Sequence, residues 1–310
     1  MRDLRAQGVD AVVALNHIGL DLDKKLAAAV PGIDVIVGGH SHDAVKEPLF
    51  IKNPQGSRTH IGQAGLNGSY AGRIDVTVDD GALVAEKSSW KLMTVQPGTT
   101  VEKESEALGL AAREILAATL DIADPAAFFA RSIDARKEAM RTRENELGNL
   151  AAEALRWNGR ARIGVINGGA LRIGRIVPPG PFTAVDMLDL MPFDDVPVRL
   201  LVSGAEIRMQ LEAAASALKG RNDDYDPTRR MSTGEFLQVA GLRFDIDLGE
   251  PAAVVDNRRL VSPGSRVKNI AVDSSRGWVP LEDDKIYSVA ALDYTVKHWN
   301  ALSSVPAGRT

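Results

Sequence analysis

Two short runs near the start of the chain, "AVVAL" (residues 11–15) and "IDVIVGG" (33–39), are almost continuously apolar. That pattern predicts strands buried on both faces, as in a parallel sheet. Between them "DLDKKLAAAVPG" reads as a short helix that Pro31 and Gly32 terminate. The spacing suits a parallel crossover. Downstream, "RTHIGQAG" and "AGRIDVTVDDGALVAEKSSWKLMTV" alternate apolar with polar positions and carry "DDG", a hairpin signal.

"QPGTT" at 96–100 predicts a boundary. Leu108, Ala112, Ile115, Leu116 and Leu120 then recur at helical spacing, which predicts one amphipathic helix. A second α/β unit follows. Helix "ENELGNLAAEALRWNG" leads to strand "ARIGVI" and the turn "NGGALR"; "MPFDD", strand "VPVRLLV" and helix "GAEIRMQLEAAASALKG" come next. "RNDDYDPTRRMSTG" is a polar surface loop, and "EFLQVAGLRFDIDL" and "KIYSVAALDY" are further strands. The chain shows no internal repeat and no low-complexity tract.

Composition narrows the function classes. The 310 residues leave room for two domains, and a net charge of −4 with pI about 5.8 offers no global basic field for nucleic acid. There is no cysteine, which excludes disulfides and thiolate metal sites. No apolar stretch reaches the ~18 residues of a membrane span. The start is no signal peptide, because Asp3 and Asp10 interrupt it. "RDLRAQG" reads as the end of a helix feeding a strand, so the natural protein is expected to begin before Met1.

Of five histidines, His17 follows "AVVAL" by one residue, while His40 and His42 follow "IDVIVGG". Ligands of open α/β sheets gather outside the carboxyl ends of strands, where these three lie. Asp43 is the local carboxylate; His60 and His298 lack such a setting and read as structural.

These residues carry a resemblance. "LNHIGLDLDKKLA" and "GIDVIVGGHSHDAV" resemble the metallophosphoesterase domain of the 5′-nucleotidase family, which includes UDP-sugar hydrolases and 2′,3′-cyclic phosphodiesterases. "TRENELGNLAAEALR", "INGGALR", "MPFDDVPVRLLVSGAEIRMQLE" and "STGEFLQVAGLRFDID" follow in the order of that family's C-terminal domain. The implied fold is α/β: part of a metallophosphoesterase α/β/β/α sandwich over 1–96, a linker helix over 97–122 and the substrate-binding C-terminal domain over 123–310. The implied activity is metal-dependent hydrolysis of nucleotide phosphate esters by a water activated between two divalent ions, zinc, manganese or similar. His17 and His40 would bind one metal and His42 the other.

For the substrate, the resemblance implies that Arg143 and Arg172 face its anionic side and that Asn167 hydrogen-bonds near base and sugar. Neighbouring Arg141 competes with Arg143 for that role. Phe193 and Tyr294 would hold the base between two rings, and Gly234 would leave room for it. The expected partner is a nucleotide or nucleoside phosphate, without nucleic acid, and the expected location is periplasmic or secreted.

Departures accompany the match. Asn16 stands where the family has Ser or Thr, and touches no ligand. The Asp-x-His, bridging-Asp and Gly-Asn-His segments have no counterpart, so the catalytic His/Asp dyad is expected upstream of Met1 and the metal site is incomplete in this chain. The partial sheet should expose strand edges. Near the end, "DYTVKHWNALSSVPAGRT" lacks the family's Gly-Gly-Asp-Gly run, and Asn300 falls where a ribose-binding Asp is expected. Two alternatives stand beside the hydrolase: a catalytically inactive nucleotide-binding remnant, and a thiosulfohydrolase-like dimetal enzyme.

Overall fold

The computed structural model describes residues 2–79, 82–96, 98, 100–119, 125–221, 231–256 and 259–302. Residues 80 and 81 of the "DDG" turn, most of the polar loop at 222–230, Leu120 of the apolar stripe and the tail after Leu302 lie outside the described residues. The chain forms two compact units, Met1–Leu110 and Ala111–Thr310.

In the first unit the elements run α1 (Arg2–Ala6), β1 (Val13–Leu15), α2 (Leu20–Ala29), β2 (Val35–Val37), β3 (Leu49–Lys52) and β4 (Arg58–Gly62). Next come β5 (Tyr70–Asp75), β6 (Val78–Asp79), β7 (Ala82–Leu83) and β8 (Ser89–Thr94), and α3 (Lys103–Thr119) continues into the second unit. The main sheet has the order β1-β2-β4-β3. β1, β2 and β4 are parallel, so three strand ends point the same way. Apolar residues of α2 pack against the sheet around Ala27, Ile33, Ile36 and Ile61.

The expected burial on both faces holds for Val35 and Ile36 but not for β1, where Leu15 is 84% exposed. β1 is an edge strand, and an edge offers neighbours on one side. The predicted helix α3 forms, yet Leu108, Ile115 and Leu116 of its apolar stripe are exposed.

The second unit contains β9 (Pro125–Phe129), β10 (Ile133–Asp134), α4 (Lys137–Thr142), α5 (Glu146–Asn158), β11 (Ile163–Asn167), β12 (Ile176–Val177) and β13 (Gly180–Thr183). Then follow α6 (Ala184–Leu190), β14 (Pro197–Ser203), α7 (Gly204–Ala215), β15 (Leu237–Ala240) and β16 (Leu242–Ile246). β17 (Val254–Asp256), β18 (Arg259–Ser262), β19 (Val267–Ser274), β20 (Gly277–Pro280), β21 (Ile286–Leu292) and α8 (Asp293–Leu302) complete it. The central sheet runs β14-β21-β11-β15, with β11 parallel to β21 and the other pairs antiparallel.

β11 is buried at every position. Its side chains alternate between two apolar clusters, Ile166 joining Leu147, Leu155 and Phe182 on one face, Ile163 and Val165 joining Ile207, Leu211 and Val289 on the other. Helix starts are fixed locally. Asn145 caps α5, while Thr183–Asp186 and Ser203–Glu206 form capping boxes on α6 and α7.

Candidate functional site

Chemistry-bearing side chains gather in two places, one in each unit. In the first, the ends of β1 and β2 bring His17 and His40 together, with ring centroids 5.1 Å apart in a T-shaped arrangement. His40 and His42 adopt φ of 76° and 64°, the left-handed region. Neutral imidazole is a good ligand for zinc or manganese. The His17–His40 pair therefore fits as part of a metal centre. Among the described residues, no group of three His, Asp or Glu side chains is placed to hold an ion. The donors among the described residues do not make a complete centre.

His60 lies apart from that pair, fully buried in β4 and stacked on Phe50 at 4.3 Å. Neither of its ring nitrogens has a hydrogen-bond partner among the described residues. Burial lowers its pKa from the ordinary 6.5.

In the second unit the end of β11 turns through Asn167, Gly168 and Gly169 against the segment around Gly234. Gly169 N–H donates to the Gly234 carbonyl at 2.7 Å, and Gly168 N–H to the Phe236 carbonyl at 2.7 Å. A side chain at Gly168 would collide with the Met140 carbonyl, so this close approach of two backbones requires glycine. At Gly234 a Cβ would meet Ser232 Oγ at 3.4 Å, an ordinary contact.

Two arginines border this cradle. Arg172 donates from Nε to the Gly169 carbonyl and lies over the Phe193 ring, 4.9 Å from its centroid. Arg141 extends from the last turn of α4, and Nη1 lies 3.8 Å from where a Cβ of Gly234 would be. Its buried Nε lacks a hydrogen-bond partner among the described residues. Burial pulls the pKa of both guanidiniums down; the charge of Arg172 adds to that effect on Arg141, and Glu235 opposes it.

Arg143 goes elsewhere. It is the residue after α4, in extended conformation (φ −155°, ψ 166°), and its guanidinium meets Asp134 at 3.2 Å. Asp134 is held at a pKa of about 2, chiefly by its hydrogen bond from Arg136. Of the two arginines that compete in the sequence, the structure thus brings Arg141 to the cradle.

Asn167 is 2% exposed, with its amide engaged inside the protein. Nδ2 donates to the Gly234 carbonyl at 3.0 Å, and Oδ1 accepts from Thr295 at 3.1 Å. That ties β11, the Gly234 segment and α8 together. Tyr294 is partly exposed at the start of α8, with its ring 4.1 Å from that of His298. The side chain of Asn300 lies outside the described residues.

Comparison with known proteins identifies the family. A family model described as 5′-nucleotidase, C-terminal domain, matches residues 122–304. The trifunctional nucleotide phosphoesterase protein YfkN of Bacillus subtilis (strain 168) is 28% identical over 296 residues, covering 92% of this chain and 18% of that protein. A 5′-nucleotidase of Diplobatis ommata is 28% identical over 326 residues, covering 94% of this chain and 51% of that protein. The crystal structure of a 5′-nucleotidase precursor from Thermus thermophilus superposes with a TM-score of 0.75 at 29% identity, over 100% of this chain and 59% of that one. The chain thus spans about half the length, or less, of the curated relatives it matches.

Proposed function

This chain belongs to the 5′-nucleotidase family, a family of nucleotide phosphoesterases, and on that premise we propose that its second unit binds a nucleoside phosphate for hydrolysis. The observation that carries the proposal is the Arg141–Arg172 pair. Among the described residues, neither guanidinium makes an ion pair with a carboxylate, though both are drawn from solvent beside the same glycine cradle. Two like charges gathered this way repel and are poorly solvated. A phosphate between them reverses both penalties, since guanidinium and phosphate form charge-assisted, bidentate hydrogen bonds. Phe193 and Tyr294 flank Arg172 and would stack on a base. Asn167 and Gly234 shape the floor.

The first unit would bring imidazole donors His17, His40 and His42 to divalent metal ions. Such ions lower the pKa of bound water and clamp the attacking and leaving oxygens. The donors among the described residues are too few for that centre, so they are assigned to holding part of it and to gripping the substrate. Periplasmic or secreted location belongs to the same reading. No helix among the described residues is long and apolar enough to cross a membrane.

The proposal is tested by calorimetric titration of the 310-residue chain with AMP and with adenosine. AMP should bind at least about tenfold more tightly, as expected for charge-assisted contacts to one phosphate. Equal affinities would sink the assignment of the arginines to phosphate. The short donor set favours a second reading, nucleotide binding without turnover. Phosphate release from AMP with added manganese decides against it, and saturable binding without release decides for it.

A further inference from the structure

Gly39, Ser41 and Asp43, the residues that alternate with His40 and His42, are all held by one side chain. Gln63 directly follows β4 and is 2% exposed. Its Oε1 accepts from the Ser41 hydroxyl at 3.1 Å and from the Asp43 amide at 2.6 Å. Its Nε2 donates to the Gly39 carbonyl at 3.1 Å. None of these bonds serves its own strand.

The clamp reaches the second histidine loop as well. Ser41 Oγ accepts from Leu20 N–H at 3.0 Å, in the first turn of α2, where N-cap Gly19 has no side chain to offer. Within α2 the fully buried Asp23 accepts from Asn16 Nδ2 at 2.9 Å, next to His17. The other carboxylate oxygen of Asp23 occupies the space that a Cβ of Gly38 would need. Gly38 is thereby confined between the carboxylate of α2 and Gln63.

This bracing explains how His40 and His42 hold left-handed backbone, which residues with a Cβ adopt at a cost. Such conformations persist where the surroundings over-determine them. A ligand loop of this kind works through its fixed shape, and partners behind the ligands govern affinity.

We infer that Gln63 is a positioning residue for cation binding: its amide sets the His40–His42 loop, with Asp23 and Asn16 as the matching strut on the His17 loop. The inference rests on the metal reading proposed above. It adds residues that the histidine pattern does not contain.

The test uses Gln63→Leu, which keeps the volume and removes all three hydrogen bonds. Zinc is titrated calorimetrically into the 310-residue chain, parent and variant, and amide hydrogen exchange at Asp43 is followed without metal. Zinc affinity should fall about 10–100-fold, as for other partners of ligating residues, and Asp43 should lose protection. Thr59→Val is the control. It removes a buried bond to the Ile33 carbonyl (2.7 Å) from β4 without touching the loop, and should leave zinc affinity near the parent's.

Unchanged affinity in Gln63→Leu, or an equal loss in Thr59→Val, overturns the positioning role alone. No zinc binding by the parent, or parent-like binding by His40→Ala, overturns the metal reading and the inference with it. Should Gln63→Leu fail to fold, Gln63→Glu serves instead. It keeps both acceptor contacts but sets an oxygen against the Gly39 carbonyl, so a smaller loss of the same sign is expected, and parent-like affinity overturns the role.

Discussion

β11, beneath the arginine cradle, is buried at each position and covered by apolar clusters on both faces. β1, which delivers His17, is an edge strand, and the core of its unit is the small group Ala27, Ile33, Ile36 and Ile61. The cradle therefore takes its precision from packing, while the histidine corner takes it from a few hydrogen bonds and a strained loop. Packing tolerates the loss of a polar contact; a hydrogen-bonded corner does not. The two regions should fail under different perturbations.

The largest effect is expected from truncating the better-packed core. Ile166→Ala, at a fully buried position, should cost about 4 kcal/mol in urea unfolding, and Ile36→Ala, equally buried in the smaller cluster, about 2 kcal/mol. The reverse order would break the comparison.

Next come the arginines. Arg141→Met or Arg172→Met should weaken AMP binding about tenfold, roughly 1.4 kcal/mol, in a calorimetric titration. Because Arg141→Met removes a partly desolvated charge that Arg172 repels, its thermal midpoint should stay level or rise. A drop in its midpoint matching the affinity loss would return Arg141 to an architectural role.

A pH titration separates the units further. The folded-state pKa of His60 lies below its ordinary 6.5 because of burial. The unfolded chain consequently takes up that proton first as pH falls. Stability held at neutral pH should decline from about pH 6.5 downwards until the folded pKa is passed. Calorimetric scans from pH 7.5 to 5.5 should show the decline, and His60→Phe should reduce it. Identical pH dependence in parent and variant would exclude His60 as its source.

Arg143→Ala should have the smallest effect. The Arg143–Asp134 pair lies near the surface, where solvent screening leaves an ion pair little to contribute. It should also weaken AMP binding less than Arg141→Met does, and the opposite order would return the phosphate role to Arg143.

Much of this architecture could be read from periodicity. Buried strands β2, β11 and β21, helices α2, α5 and α7, and the placing of His17 and His40 at strand ends all follow from apolar runs bounded by turn residues. Burial of β1 could not be read the same way, because an apolar run does not say whether a neighbouring strand is there. The choice between Arg141 and Arg143 was equally hidden. Two residues apart, they part company because Arg143 leaves the helix in extended conformation. Gln63 gave a faint signal: it is the polar residue that ends a third parallel strand beside β2. A strand-by-strand search for polar residues at carboxyl ends would have found it.

The left-handed turns at His40 and His42 also bear on how this loop changes over generations. Histidine, asparagine and aspartate are several-fold enriched among non-glycine residues with positive φ, whereas β-branched or bulky residues there are outliers. Substitutions that leave the backbone undisturbed therefore draw on a short alphabet, and that alphabet is made of the nitrogen and oxygen donors that coordinate cations. On the metal reading proposed above, an exchange at either position within that alphabet would replace one donor by another while the sheet beneath stays the same.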